Sequence, residues 1–191
     1  MTLFLLRHGR TAANAGGLLL GRADPPLDEL GQEQAAALAS LVEAPTMVVS
    51  SPLQRCRETA AAFSGTVEVD ERWIELDYGD WDQQPITSIP TEDWAAWRAD
   101  LDFRPPGGET LRELGERVRS ACADLAGPAA DGDVVVVTHV SPLKAAIAWA
   151  LQVGDDISWR LHVTPASVTR VGIRTTGPVL LTFNETHLLP G

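Results

Sequence analysis

The sequence predicts an α/β fold of three layers, with helices on both faces of a mostly parallel central sheet. Three observations predict it. Residues 133–138, Asp133-Val134-Val135-Val136-Val137-Thr138, form an almost continuous apolar run, as expected of a parallel strand covered on both faces. Two more apolar runs, Leu3-Phe4-Leu5-Leu6 and Thr46-Met47-Val48-Val49-Ser50, read as further buried strands. Ser51-Pro52-Leu53-Gln54 and Ser141-Pro142-Leu143-Lys144 each follow a strand and open a helix, so the chain contains strand-to-helix units.

The elements follow in order. Residues 2–7 are the first strand, and a Gly-rich loop spans 8–27, ending at Pro25-Pro26. Asp28 caps a helix whose Leu30, Ala35, Leu38, Leu41 and Val42 recur at helical spacing. After the strand at 46–50, Ser51 is placed as a cap, with Pro52 in the first turn and Gln54 three residues after the serine. Residues 66–69 are a short strand, and 73–78 are read as extended. The segment 79–108 is irregular, carries Trp81, Trp94 and Trp97, and holds a short helix near 91–99. A long helix starts near Glu109, with Leu111, Leu114, Val118, Cys122 and Leu125 inward. The strand at 133–138 and the helix from Ser141 to about Leu151 follow. Strands near 167–173 and 179–183 close the chain around a turn at Thr176-Gly177-Pro178.

The 191 residues suit one domain, 1–191, with 79–108 as a partial lid. A net charge of −11, from 15 basic and 26 acidic residues, argues against nucleic acid and anionic membrane as partners. Lys144 is the single lysine, and Arg7 and Arg55 in so acidic a chain suggest a local cationic pocket. Cys56 and Cys122 fall in helices and read as buried free thiols, which with the short N-terminal apolar run gives the expectation of a cytoplasmic protein. Nothing in the sequence fixes an oligomeric state.

Chemistry concentrates where strands end. Arg7-His8-Gly9 closes the first strand, and the glycine is read as allowing a sharp turn. Arginine binds phosphate oxygens bidentately, and histidine can attack phosphorus. The second strand leads to Arg55 and the third to His139. Two helix N-termini are expected to aim free N–H groups at the same region, a site for a dense anion. Glu75, among apolar neighbours that would raise its pKa, is the candidate proton donor, with Asp77 as its rival. No spacing of His, Cys or carboxylate resembles a metal site. His162 and His187 are placed outside this constellation. Trp73, Trp149 and Trp159 are placed in the core, Arg10 and Arg22 at the lip or in solvent, and Glu109 at a helix start. Substrate contact by Trp81, Trp94 and Trp97 stays open.

With these residues in place, the chain resembles the histidine phosphatase superfamily, in the branch of cofactor-dependent phosphoglycerate mutases and α-ribazole-phosphatase-like enzymes. The resemblance spans essentially the whole chain. It is carried by Arg7-His8-Gly9-Arg10-Thr11-Ala12-Ala13-Asn14, Gly21, Leu27-Asp28-Glu29-Leu30-Gly31, Ser51-Pro52-Leu53-Gln54-Arg55, Glu75-Leu76-Asp77-Tyr78-Gly79-Asp80-Trp81, Gly107-Gly108-Glu109-Thr110 and Val137-Thr138-His139. It implies a phosphoglycerate mutase-like fold and a phosphomonoesterase that hydrolyses a small phosphate ester with no metal or organic cofactor. It implies His8 as the nucleophile and Arg7, Arg55 and His139 as groups that bind the phosphoryl group and stabilise its charge. Asn14, Gly21 and the backbone of Val140 would contact substrate, and Glu75 would protonate the leaving oxygen and then activate water. Two departures bear on substrate identity: Val140 follows His139 where a glycine is common, a stretch that resembles acid-phosphatase-like members, and Asp82-Gln83 stands where many relatives have Glu-Gly. A phosphoglycerate mutase and a phosphate-recognising binding module with weak catalysis are the alternatives.

Overall fold

The computed structural model describes residues 1–186. Six strands, β1 (Thr2–Arg7), β2 (Met47–Ser50), β3 (Val67–Val69), β4 (Val134–Thr138), β5 (Val168–Arg174) and β6 (Gly177–Glu185), form one sheet of order β3-β2-β4-β1-β5-β6. The four strands β3, β2, β4 and β1 are parallel. β5 and β6 run antiparallel at one edge, so the sheet is mixed. The β5–β6 connection is too short for a parallel crossover, which needs a dozen or more residues. Its turn falls at Thr175 and Thr176, and Gly177 and Pro178 already belong to β6.

The helices are α1 (Ala12–Ala15), α2 (Glu29–Ala39), α3 (Gln54–Ala60), α4 (Thr91–Ala99), α5 (Leu111–Asp131) and α6 (Val140–Leu151). Alternation along the strands sorts the core into two layers. Leu3, Leu5, Val134 and Val136 pack with Leu114, Val118, Cys122, Leu143 and Ile147 of α5 and α6. Phe4, Leu6, Val135 and Val137 pack with Leu38, Cys56 and Ala60 of α2 and α3. Each such buried aliphatic side chain contributes about 1.5–3 kcal/mol.

Local differences from the sequence reading have identifiable causes. α3 begins at Gln54 and has no side-chain cap. The Ser51 hydroxyl is instead engaged with His139 Nε2 at 2.7 Å. α5 begins at Leu111, where Thr110 and Glu113 form a reciprocal capping box. Residues 73–78 join no strand. Side chains meet the carbonyls of the segment's first half, Arg117 donating to those of Ile74 and Glu75 and Thr138 Oγ1 to that of Trp73, while the carbonyls of Asp77 and Tyr78 accept the backbone N–H groups of Glu109 and Trp81.

Candidate active site

Parallel pairing of β1 with β4 puts Arg7 opposite Thr138, so His8 and His139 leave the sheet side by side. Their ring centroids are 5.1 Å apart. β2 pairs with β4 in the same direction and leads into α3, which carries Arg55. The three chain ends meet outside the carboxyl ends of the parallel strands.

His8 is 2% exposed. Its Nδ1 lies 2.7 Å from the Gly9 carbonyl oxygen. A carbonyl only accepts, so Nδ1 carries the hydrogen and Nε2 keeps its lone pair. Burial, then the charges of Arg55 and Arg7, hold His8 well below the usual histidine value. Gly9 is needed for close approach: a Cβ there would run into the backbone of Gly31 in α2. Its φ is not positive, so the sharp turn expected of it is not its reason.

Arg7 donates from Nη1 to the Val163 carbonyl at 2.6 Å. Burial pulls its guanidinium down to about 10, which leaves it charged at neutral pH. Arg55 is fully buried and donates to the Ala23 and Gly21 carbonyls at 2.7 and 2.8 Å. The N–H groups of Gly21 and Ala23 in turn donate to the Asp82 carboxylate at 2.8 and 2.7 Å. Asp82 therefore fixes the loop that fixes Arg55. A Cβ on Gly21 would sit 2.8 Å from the Tyr78 ring and 2.9 Å from the Leu76 carbonyl oxygen.

His139 is fully buried, and burial followed by the Arg55 charge keeps it well below the usual histidine value. The Asn14 side-chain oxygen accepts from Thr11 N–H in a capping box, which leaves the amide hydrogens for another acceptor. The Glu75 carboxylate accepts the N–H of Leu76 at 2.7 Å and those of Val140 and Ser141 at 3.1 Å. Backbone donors, rather than its apolar sequence neighbours, meet the carboxyl group.

A cavity of about 250 Å³ brings together Arg7, His8, Asn14, Glu75, Val140 and Lys144. Gly21, Arg55 and His139 do not line it; His139 packs on the His8 ring, and Arg55 acts on both imidazoles through its charge. The expected free helix N–H groups are not free. Those of Val140 and Ser141 go to Glu75, and that of Gln54 goes to Asp24 at 2.6 Å. Asp77 does not line the cavity, and its carboxylate accepts Gly79 N–H. Glu109 pairs with Arg117 and Arg22 rather than capping its helix, and Arg10 pairs with Asp28.

His162 was placed outside the constellation by sequence but lines the cavity, because the chain entering β5 passes over it. His187 lies outside the described residues. Trp94, Trp97 and Trp159 line a smaller adjoining cavity of about 130 Å³, while Trp81 packs on Trp97 and Phe103. Cys56 and Cys122 are buried free thiols. Besides His162, three polar side chains of the site, Lys144, Asp82 and Ser51, are not marked as such by the sequence. Lys144 had a signal, as the lone lysine one turn beyond Val140. Asp82 was noticed as a departure, without its role under the loop. Ser51 was assigned to a helix cap.

Among the described residues, no group of three or more His, Cys, Asp or Glu is placed to hold a metal, and no helix is long and apolar enough to cross a membrane.

The family model of the histidine phosphatase superfamily (branch 1) matches residues 3–186. The chain belongs to that superfamily. A glucosyl-3-phosphoglycerate phosphatase of Mycolicibacterium vanbaalenii is 36% identical over 214 residues, covering 86% of this chain and 94% of the relative. A bifunctional protein of Mycobacterium tuberculosis is 34% identical over 177 residues, covering 87% of this chain. The chain spans about half, 49%, of that relative's length. The solved structure of a mycobacterial glucosyl-3-phosphoglycerate phosphatase with VO3 superposes with a TM-score of 0.86 at 31% identity, covering 97% of this chain and 99% of that one. The phosphoglycerate mutase-like fold of the superfamily is thus the fold of this chain.

Proposed function

We propose that the protein is a phosphomonoesterase that hydrolyses a small phosphorylated metabolite through a phosphohistidine on Nε2 of His8. The observation that carries this reading is the His8 tautomer: Nδ1 donates to Gly9, and the Nε2 lone pair belongs to a side chain on the cavity wall shared with Arg7 and Glu75. The phosphatases among the relatives support the same chemistry.

A phosphate dianion repels nucleophiles and has a poor leaving group. Arg7 on the cavity wall and Arg55 behind it offset its charge, the Asn14 amide adds a donor to a phosphoryl oxygen, and His139 packs on the His8 ring to hold the nucleophile in place. His8 Nε2 attacks phosphorus, the ester P–O bond breaks, and its electron pair leaves on the alcohol oxygen. Glu75, on the cavity wall beside His8, is the group that gives that oxygen its proton. The resulting carboxylate then takes a proton from water, which attacks phosphorus, and the N–P bond pair returns to the imidazole.

The segment 79–108 acts in this scheme as a partial lid on a single domain. It supplies Ile86 to the larger cavity and Trp94 and Trp97 to the smaller one. The buried, unpaired thiols of Cys56 and Cys122 fit a reducing, cytoplasmic compartment.

His8→Ala should abolish phosphate release from a panel of phosphorylated metabolites, together with covalent ³²P labelling. Full activity in that variant would overturn the reading. Phosphoglycerates in the panel test mutase chemistry, and net phosphate release is expected to exceed their interconversion.

A further inference from the structure

The ammonium of Lys144 has no role in the steps above. It makes no ion pair or hydrogen bond among the described residues, although Glu75 and Arg7 are close enough for their charges to bear on it. Lys144 lies on the wall of both cavities, with Leu19, Tyr78 and Val140. Val140 and Lys144 are one turn apart on α6 and so share a face. The two cavities are adjoining parts of one crevice: a phosphate end with Arg7 and His8, and a second end with Trp94, Trp97 and Trp159.

The second end has a definite chemistry. Lys144 is the only charged residue among those that line it, and the rest are aromatic, aliphatic or hydroxyl-bearing. Its volume of about 130 Å³ is close to the roughly 150 Å³ of an apolar cavity that holds a benzene ring. A half-buried cation without a counterion is costly, and burial lowers the Lys144 pKa. An anion arriving with the substrate would remove that cost. A lone ammonium binds an anion as a point charge, and a carboxylate is the anion whose single charge it matches.

We propose that Lys144 is a specificity-determining residue that seats a carboxylate on the alcohol portion of the phosphate ester, while the ring-sized apolar part of that portion occupies the tryptophan-lined cavity. This inference rests on the phosphatase reading and names the substrate class of the same site.

Two esters of matched shape test it, 4-carboxyphenyl phosphate and 4-carbamoylphenyl phosphate. The readout is the ratio of their kcat/KM values in the wild type, Lys144→Met and Lys144→Arg. Comparing ratios between proteins cancels the intrinsic difference between the two leaving groups. The wild-type ratio should exceed that of Lys144→Met by about ten- to a hundredfold, the range for a hydrogen bond to a charged group, mostly through KM. Lys144→Arg should recover most of the difference, which guards against a merely structural effect of the methionine. Equal ratios in the wild type and Lys144→Met overturn the inference while hydrolysis itself continues. An equal loss on both esters in Lys144→Met also overturns it, because Lys144 would then serve the phosphoryl group. If the wild type releases phosphate from the metabolite panel but from neither aryl ester, this inference falls and the phosphatase reading stands; if it releases phosphate from none of them, both fall.

Discussion

Glu75 accepts the backbone N–H of Ser141 at 3.1 Å, across 66 residues of sequence. With the parallel bond from Val140, it does for α6 what an N-cap side chain would do, since His139 at the cap position makes no such bond. One carboxylate thus locks the loop after Trp73 to the helix behind the second histidine, and it also faces the cavity of His8.

Glu75→Gln separates these two jobs. An amide oxygen in the Oε1 place can still accept the N–H groups of Leu76 and Ser141, but the NH2 group then meets the Val140 N–H, so stability should fall by about 1–3 kcal/mol. Proton donation is lost altogether. Alkyl phosphate esters should be hydrolysed about 10²–10⁴ times more slowly, whereas p-nitrophenyl phosphate, whose leaving oxygen needs no proton, should lose far less. Parallel kcat measurements on the two ester types check this. An equal loss on both would remove Glu75 as the proton donor.

Asp82→Ala should reach the phosphate site without touching it. The variant strips the acceptor from Gly21 and Ala23, whose carbonyls hold Arg55. We expect kcat/KM to fall at least about tenfold and stability by about 1–3 kcal/mol, as for unsatisfied buried donors. Asp82→Asn keeps one acceptor oxygen and should lie between the two. Steady-state kinetics and thermal denaturation read the two effects separately.

Gly9→Ala tests the packing of the loop that carries the nucleophile. The new methyl group would meet the Gly31 backbone, and backbone cannot rotate away as a side chain can. Overpacking of this kind costs about 1–3 kcal/mol, and any relief must move His8. A fall in both melting temperature and kcat is the expected result. A variant with wild-type stability and rate would show that α2 yields freely there.

The large pattern was legible in the sequence because it is written in periodicity. The apolar runs gave β1, β2 and β4, and strand ends marked where Arg7, His8 and His139 would stand. What stayed hidden depends on contacts distant in the chain. Ser51 looks like a helix cap until β4 brings His139 within 2.7 Å of it. Glu75 looks like a strand residue until Arg117 and Thr138 take over the hydrogen bonds of the backbone around it. Lys144 and His162 belong to the cavity through the packing of α6 and of the approach to β5, which no local pattern encodes.

The two buried imidazoles also predict how the fold responds to acid. His8 and His139 sit well below the ordinary histidine value of 6.5, in both cases chiefly because burial penalises their charged forms. Above pH 6.5 both are neutral in the folded and unfolded chains, and they contribute no pH dependence. As pH falls below 6.5, the unfolded chain takes up protons that the native chain refuses. Stability must therefore drop, by up to about 1.4 kcal/mol per pH unit for each histidine, until the pH reaches the depressed native values. The window between pH 6.5 and 5 lies above the range of ordinary carboxylates, so histidines dominate it. Urea denaturation at pH 7, 6 and 5 should show this loss. His139→Gln should reduce the slope by about one proton's worth, whatever it does to absolute stability, and His8→Asn should do the same. An unchanged slope in both variants would mean that these imidazoles take up protons alike in the native and unfolded chains, so that burial does not hold them in the neutral form.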